Sequence, residues 1–300
     1  MTEASGIPAP IEAQIRARGS VLDLPLVQSL YQQALDVQPR DGVAVTRDLP
    51  YGPNERHHLD VYRPIDAAAQ SSASMIFLHG GGFIRGNKAG RDNVGYFFAR
   101  QGFVTLVANY RLAPAHAWPA GAEDVTRALC WTQENISRWG GNPQRVFVAG
   151  ESAGAAHIAL ATLVKRFHPS SRIPPAGALL ISGVYNASLE AMARRQFAIP
   201  TPDPRNDAYF GSNRDAFPAM STVDLVDAAP FPLFMSYAEL DMLQMQVQAG
   251  ELFSRLVTRH GFDPELAVIR GHNHLSQVYS INTGDDSLSG PILEFLKRYA

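Results

Sequence analysis

The chain has 300 residues, of which 46% are hydrophobic and 18% are charged, and its formal net charge is −2. This composition excludes a disordered chain, which has few apolar residues, and a coiled coil, which has many charged ones. The near-neutral charge predicts no basic surface for a phosphate backbone, so we expect no nucleic-acid partner. The single cysteine, Cys130, cannot form an internal disulfide and is typical of a reducing compartment.

The sequence carries no predicted targeting or membrane segment. Met1 to Gly6 include an acidic residue but no basic run and no apolar stretch of the length that a secretory signal needs. The longest apolar stretches, such as 155–164, are too short or too interrupted to span a bilayer. We therefore expect a cytoplasmic protein with no membrane span.

Hydrophobic periodicity predicts the order of the elements. Amphipathic helical patterns lie at 8–18 and 25–36, and short strands follow at 43–45 and 59–62. Uncharged apolar runs then alternate with helical patterns; the runs lie at 75–78, 103–107, 146–149, 178–181, 231–235 and 266–269, and the helices at 90–100, 121–139, 153–167, 243–260 and 288–299. Runs that are apolar on both faces indicate strands buried on both faces. The alternation predicts a single α/β domain with a mostly parallel central sheet and helices on both faces.

Two segments, 1–40 and 184–227, do not fit this alternation. The second separates two strands by more than a crossover needs and contains four prolines. Loops of this length are usually functional or carry short helices of their own. We expect both segments to form a helical cap over the carboxyl edge of the sheet, with 41–183 and 228–300 as the core. An insertion unrelated to the site is the alternative.

A candidate nucleophile lies in the pattern Gly-x-Ser-x-Gly at residues 150–154, with Ser152 at its centre. A strand pattern ends just before it and a helical pattern begins directly after it, which predicts a sharp strand-to-helix turn. Glycines two positions either side of Ser152 avoid clashes in such a turn. Amide N–H groups at the helix N-terminus can stabilise negative charge. A serine that caps an ordinary helix is the alternative.

A run of three glycines, Gly80 to Gly82, follows His79 at the end of the strand 75–78. Backbone N–H groups without neighbouring side chains can approach a developing oxyanion, and such donors are usually the largest catalytic contribution in acyl transfer. We predict the N–H groups of Gly81, Gly82 and Ala153 as an oxyanion hole, and a structural role for His79. A flexible turn is the alternative; a phosphate-binding loop would need a Lys-Ser/Thr ending that is missing here.

The motifs His79-Gly80-Gly81-Gly82-Phe83 and 150–154 resemble those of the hormone-sensitive-lipase-like carboxylesterases of the α/β-hydrolase fold. Segments 109–114, 118–120, 123–124 and 139–143 are similar to the same family, and the resemblance extends from about residue 59 to the C-terminus. It implies a serine esterase with a helical cap, a small-molecule ester as substrate, and no metal or organic cofactor.

The sequence departs from the family pattern at three places. Glu151 stands where many members carry Asp, Ala155 where another Gly is frequent, and Asp241-Met242-Leu243 where Asp-Pro-Leu is usual. These departures leave the chemistry intact.

The acid and the base should follow the serine in the order Ser, acid, His. Asp241 lies after the strand at 231–235, at the position that matches the acid of the family; Glu239 is the second choice, and a helix N-cap is the alternative role for Asp241. His274 immediately precedes a helical pattern, as the family's base does, and His272 is the alternative. The remaining histidines do not show the spacing of a metal site.

We therefore expect two-step acyl transfer by Ser152, His274 and Asp241. The resemblance, with an apolar wall formed by Phe83, Ile84, Phe210 and Phe217, favours short- to medium-chain acyl esters. An amidase or arylformamidase with the same triad is the first alternative, and a non-catalytic ligand-binding relative is the second. A homodimer could form through the last strand and helix.

Overall fold

A computed structural model describes residues 6–66, 72–168, 174–196 and 204–300, and its centre is one β-sheet. The first five residues and Pro200 and Pro202 of the expected cap lie outside these ranges. The strands are β1 (Val43–Pro50), β2 (His58–Pro64), β3 (Ser72–Leu78), β4 (Val104–Ala108), β5 (Gly141–Glu151), β6 (Gly177–Ile181), β7 (Leu233–Leu240) and β8 (Glu265–Asn273). They lie in the order β1-β2-β4-β3-β5-β6-β7-β8.

The sheet is mostly parallel, as predicted. The strand β2 is antiparallel to β1 and β4, whereas β4, β3, β5, β6, β7 and β8 pair in parallel with their neighbours. Every residue of β4 and β6 is buried. Strands that are apolar on both faces can be buried only between two layers of helices, which is why the uncharged runs indicated this architecture.

Helices cover both faces of the sheet. They are α1 (Ala9–Arg18), α2 (Leu24–Asp36), α3 (Asp92–Arg100), α4 (Ala120–Asn135), α5 (Ala153–Leu163), α6 (Ala187–Gln196), α7 (Pro204–Phe210), α8 (Thr222–Leu225), α9 (Leu243–His260), α10 (Ser276–Tyr279) and α11 (Ser289–Tyr299). Successive residues of β3 point to opposite faces. Ile76 packs in the core beneath α4, α5 and α9, and Phe77 in the core beneath α3 and α11. The predicted single α/β domain is therefore confirmed.

Some strands extend further than the hydrophobic pattern indicated. The expected strand at 43–45 continues to Pro50 because it pairs with β2 through an irregularity between Thr46 and Leu49. The strand expected at 231–235 continues to Leu240, which pairs with Asn273 of β8. Backbone pairing with a neighbour stabilises these polar ends, and a single-strand pattern contains no information about the neighbour.

The described residues of the two segments outside the alternation are mostly helical. The helix α1 packs against β8, and α2 packs against α10, which follows the carboxyl end of β8. Within 184–227, α6 packs against α9 and α8 packs against α5. Both segments therefore lie outside the sheet. Among the described helices, none combines the length and the apolar character that crossing a bilayer requires.

The contact between α4 and α5 generates a stability prediction. A Cβ atom on Gly121 would overlap the buried ring of His157, whereas one on Gly250 of α9 would meet nothing within 4 Å. We expect Gly121→Ala to lower the free energy of unfolding by about 1–3 kcal/mol through overpacking. The control Gly250→Ala should raise it by about 0.5–1 kcal/mol through helix propensity. Urea denaturation measures both; equal effects of the two variants would contradict this account of the contact.

Candidate active site

Ser152 lies in the sharp turn between β5 and α5, with φ +51° and ψ −117°. A side chain at Gly150 would lie 2.8 Å from the backbone of Gly154, and one at Gly154 would overlap the carbonyl oxygen of Leu78. Positive φ is strained for a residue other than glycine, and the tight packing around the turn maintains it. The turn lifts the Ser152 hydroxyl above the carboxyl edge of the sheet at the N-terminus of α5.

The structure brings Ser152, Asp241 and His274 together. Ser152 Oγ lies 3.0 Å from His274 Nε2, and His274 Nδ1 lies 2.8 Å from Asp241 Oδ1. These three residues directly follow β5, β7 and β8. The carboxyl ends of these strands meet at the same edge of the sheet because the strands are parallel. The arrangement can pass a proton from the hydroxyl to an imidazole that a carboxylate orients.

The alternative acid and base have other partners. Glu239 accepts hydrogen bonds from Arg16 of α1, at 3.1 Å, and from the N–H of Gly271, at 2.8 Å. His272 is buried, with Nδ1 3.0 Å from Ser276 Oγ and Nε2 3.2 Å from Asp285. The geometry therefore favours Asp241 over Glu239 and His274 over His272.

His274 is buried, and its environment favours the protonated ring. Burial lowers the pKa of His274, but the charge of Asp241 and the hydrogen bond to it outweigh burial, so the pKa lies above the ordinary 6.5. A raised pKa strengthens the imidazole as a base. Asp241 therefore both orients the ring and stabilises its cationic form.

Two buried residues that sequence reasoning missed hold Asp241 in place. Ser182 Oγ donates to Asp241 Oδ2 at 2.6 Å, and Gln277 Nε2 donates to Ser182 Oγ at 2.7 Å and to the carbonyl of His274 at 3.2 Å. Ser182 comes directly after β6, so a polar residue following a buried strand was the available signal. Its partner could not be inferred, because the sequence does not state that β6 and β7 are neighbours.

The glycine loop after β3 presents bare backbone beside Ser152. Gly81 has φ +138° and Gly82 has φ +60°, and a side chain at Gly81 would overlap the carbonyl oxygen of Arg85. Among the described residues, neither N–H group has a hydrogen-bond acceptor. Ala153, the third predicted donor, begins α5. The loop can therefore offer N–H groups to a ligand.

His79 stabilises the glycine loop through ring stacking and a hydrogen bond. Its ring stacks on Tyr110 with centroids 4.5 Å apart, and Nδ1 lies 2.7 Å from the carbonyl oxygen of Gly80. Burial lowers the pKa of His79 to about 4, so the ring is neutral near pH 7. A neutral ring can donate from Nδ1 to the carbonyl and orient the loop.

Glu151, which departs from the family pattern, links the serine turn to the glycine loop. The buried carboxylate accepts from the N–H of Gly80 at 3.0 Å and forms an ion pair with Arg91. Arg91 in turn lies over the ring of Tyr279, 4.6 Å from its centroid. Burial would raise the pKa of Glu151, but the charge and hydrogen bond of Arg91 lower it overall. The side chain of Glu151, which is longer than the Asp that many family members carry, is thus accommodated as a buried anion.

A cavity of about 260 Å³ opens beside Ser152. The glycine loop, Ser152 and His274 line it together with Leu22, Leu24 and Gln28 of the N-terminal segment and Arg205 of α7. Side chains from both expected cap segments therefore border the candidate nucleophile.

The four residues of the expected apolar wall do not line the cavity at Ser152. Phe83, Phe210 and Phe217 are buried in an aromatic cluster next to Ala153, where Phe83 stacks on Tyr209 with centroids 4.2 Å apart. Ile84 packs against the cluster and is half-buried. Because these rings bury one another, they do not line the cavity at Ser152.

No three His, Cys, Asp or Glu side chains converge as a metal site within the described ranges. Most of the histidines instead have individual partners. His57 Nε2, for example, lies 2.9 Å from Asp124 in a buried pair.

The family assignment rests on residues 75–277, which match the model of the alpha/beta hydrolase fold family. The chain belongs to this family, as its motifs indicated. It is 30% identical to LipM, a probable carboxylic ester hydrolase of Mycobacterium tuberculosis, over 72% of this chain and 56% of that protein. It is 29% identical to an ethyl acetate hydrolase of Pseudomonas putida, over 76% of this chain and 74% of that protein.

The fold is also similar to that of a bacterial heroin esterase, with a TM-score of 0.75, 22% identity, and 96% of each chain covered. At this identity the likeness shows the fold alone. The chain spans about half the length of LipM and about a third of LipQ, an esterase of the same organism.

The buried Glu151–Arg91 pair generates a stability prediction. Glu151→Gln leaves a hydrogen-bond acceptor for Gly80 but removes the carboxylate that pairs with the buried charge of Arg91. The free energy of unfolding should therefore fall by about 3–5 kcal/mol at neutral pH. The exposed control Glu134→Gln should stay within about 0.5 kcal/mol of the wild type.

The same pair should be sensitive to acid. Because the folded-state pKa of Glu151 is lowered, its contribution is present above the ordinary pKa of 4.5 and is lost as the pH falls through the folded value. The difference in stability between wild type and Glu151→Gln should therefore shrink below that pH. Denaturation curves at several pH values measure it, and a difference that stays constant would contradict the assignment.

Proposed function

We propose that the protein is a carboxylesterase that uses Ser152 as nucleophile, His274 as base and Asp241 as the orienting acid. The observation that carries this proposal is the continuous hydrogen-bond chain from Ser152 Oγ through His274 to Asp241, with distances of 3.0 and 2.8 Å. The names of relatives, a probable carboxylic ester hydrolase and an ethyl acetate hydrolase, support the reaction class.

The first half of the reaction forms an acyl-enzyme. Ser152 Oγ attacks the ester carbonyl carbon while His274 Nε2 takes the hydroxyl proton. The carbonyl oxygen becomes an oxyanion, to which Gly81, Gly82 and Ala153 donate N–H groups. The C–O bond then breaks, and the imidazolium returns the proton to the leaving alcohol.

The second half repeats these steps with water. His274 takes a proton from water as the water oxygen attacks the acyl carbon. The bond between the acyl carbon and Ser152 Oγ then breaks, the protonated ring returns the proton to Ser152 Oγ, and the carboxylic acid leaves. Asp241 stabilises the imidazolium in both halves. Ser182 and Gln277 keep the carboxylate of Asp241 aligned, because both Asp241 oxygens have donors.

The segments 1–40 and 184–227 act as a cap in this proposal. Leu22 and Leu24 of the first and Arg205 of the second border the cavity, whose volume of about 260 Å³ suits a small ester. The cluster of Phe83, Ile84, Phe210 and Phe217 does not line this cavity, so the proposed preference for short- to medium-chain acyl groups rests on the cavity volume.

The substrate range can be measured with a series of 4-nitrophenyl esters of increasing acyl length. Matched aryl acetate and N-formyl aryl substrates distinguish the esterase from an amidase or arylformamidase on the same triad. Faster turnover of long-chain emulsified triglyceride than of a butyrate ester would contradict the proposed chain length.

The nucleophile assignment predicts that Ser152→Ala lowers kcat/KM for 4-nitrophenyl acetate by at least about 10⁴-fold, since only background stabilisation remains. A fluorophosphonate should label wild type stoichiometrically at Ser152 and should not label the variant. The control Ser254→Ala changes an exposed serine of α9 and should leave turnover and labelling intact. Wild-type turnover in Ser152→Ala would contradict the proposal.

The base assignment predicts a pH profile. Protonated His274 cannot accept the serine proton, and its pKa is raised, so kcat/KM should fall on the acid side with a midpoint above 6.5. Asp241→Asn removes the charge that raises this pKa, so the midpoint should move to lower pH while kcat falls about 10⁴-fold. An unchanged midpoint in Asp241→Asn would exclude His274 and Asp241 as the coupled pair.

A further inference from the structure

We propose that Arg56 is a positioning residue for catalysis, whose guanidinium group holds the glycine loop in the shape that presents the Gly81 and Gly82 N–H groups to the oxyanion. This inference rests on the proposed esterase function. Arg56 lies shortly before β2, outside both cap segments and outside the motifs that indicated the site. Its role follows from its contacts alone.

The glycine loop folds back on itself. We call 79–81 its outgoing leg and 85–86 its returning leg. A Cβ atom on Gly81 would overlap the carbonyl oxygen of Arg85. A Cβ atom on Gly86 would overlap the carbonyl oxygen of Gly80 and the ring of His79. The two legs are therefore in close contact, so a displacement of the returning leg displaces the backbone that carries the proposed donors.

Arg56 donates hydrogen bonds to two groups that support the outgoing leg. Its Nη2 donates to the carbonyl oxygen of Gly86 in the returning leg, at 3.0 Å, and its Nε donates to the carbonyl oxygen of Tyr110, at 2.7 Å. Tyr110 in turn stacks on the ring of His79, and its hydroxyl group donates to the His79 carbonyl oxygen at 2.9 Å. One guanidinium group thus connects the returning leg to the residue against which the outgoing leg packs.

The shape and the charge of an arginine both suit this place. The planar guanidinium group donates from several N–H groups in fixed directions, so one side chain can hold two carbonyl oxygens at once. Burial lowers the pKa of His79 to about 4, and the charge of Arg56 lowers it further. Because the buried Nε2 of His79 has no hydrogen-bond partner among the described residues, a neutral ring avoids an unpaired N–H group there.

Loss of Arg56 should weaken transition-state stabilisation more than substrate binding. Preorganised N–H donors contribute most where negative charge develops on the oxygen, so their displacement affects the tetrahedral state above all. A displacement of about 1 Å can lower a rate by about 100-fold. The side-chain hydrogen bonds of Arg56 go to the loop and to Tyr110 instead of the triad, so the base and the nucleophile should stay in place.

The test compares Arg56→Ala with a matched control, Arg63→Ala. Arg63 is a half-buried arginine near the other end of β2, where its Nη1 donates to the carbonyl oxygen of Pro64. Fluorophosphonate titration run to completion gives the concentration of active sites, and every rate is expressed per titrated site. For 4-nitrophenyl acetate, kcat/KM should fall about 10- to 100-fold in Arg56→Ala. It should stay within about twofold of the wild type in Arg63→Ala.

A transition-state analogue gives a readout that a merely structural role would not change. Ser152 Oγ adds to the carbonyl carbon of phenyl trifluoromethyl ketone, the electron pair of the C=O π bond moves to the oxygen, and His274 takes the serine proton. The inhibition constant of this ketone should rise in Arg56→Ala by about the factor by which kcat/KM falls. The inhibition constant of acetophenone, which forms the adduct far less readily, should change by less than about twofold.

Two further variants define the contribution of the guanidinium group. Arg56→Lys keeps the charge but not the planar set of donors, so its kcat/KM should lie between those of the wild type and Arg56→Ala. If Arg56→Ala fails to fold, Arg56→Gln, which loses the charge and keeps a shorter polar side chain, takes its place in the same measurements.

The outcomes separate the role of Arg56 from the esterase function. An unchanged kcat/KM per titrated site in Arg56→Ala, equal losses in Arg56→Ala and Arg63→Ala, or an unchanged inhibition constant for the trifluoromethyl ketone would overturn the positioning role and leave the esterase intact. No hydrolysis of any ester by the wild type, together with no labelling of Ser152, would overturn the esterase function on which this role rests.

Discussion

The hydrogen bond between Ser152 Oγ and His274 Nε2 is the interaction on which the site depends. It exists because two conditions are met at once. The strained turn after β5 lifts the serine above the sheet, and the parallel strands β5 to β8 end at one edge, so that residues far apart in the chain meet there. The glycines around Ser152 satisfy the first condition, and strand order satisfies the second.

Buried charge organises the rest of the site around that bond. Asp241 faces His274 and Ser182, and Glu151 faces Arg91 and the glycine loop. Each carboxylate is held by at least two donors, which offsets the cost of removing it from water. The glycine loop and His274 are therefore positioned by ion pairs and hydrogen bonds more than by apolar packing, whereas the neighbouring aromatic cluster is a conventional core.

Local patterns predicted most of the elements, because helices and buried strands have their own periodicity. The helix α9 was predicted from end to end, and the turn at Ser152 followed from its flanking glycines. The predictions were weaker where a distant partner decides the outcome. The end of β7 depends on pairing with β8, and Phe83, Phe210 and Phe217 pack against one another instead of facing the cavity.

Local sequence patterns were sufficient to predict the α/β architecture, the serine turn, the glycine loop and a short set of candidates for the acid and the base. Only the tertiary contacts distinguish the candidates: Asp241 and His274, and not Glu239 and His272, form a hydrogen-bond chain with Ser152. The same contacts bring Ser182 and Gln277 to that chain and Arg85 and Arg205 to one cavity. The physical reason is that periodicity and turn chemistry act between neighbours in the chain. Hydrogen bonds and charge pairs at the sheet edge act through space, between strands whose order the sequence does not state.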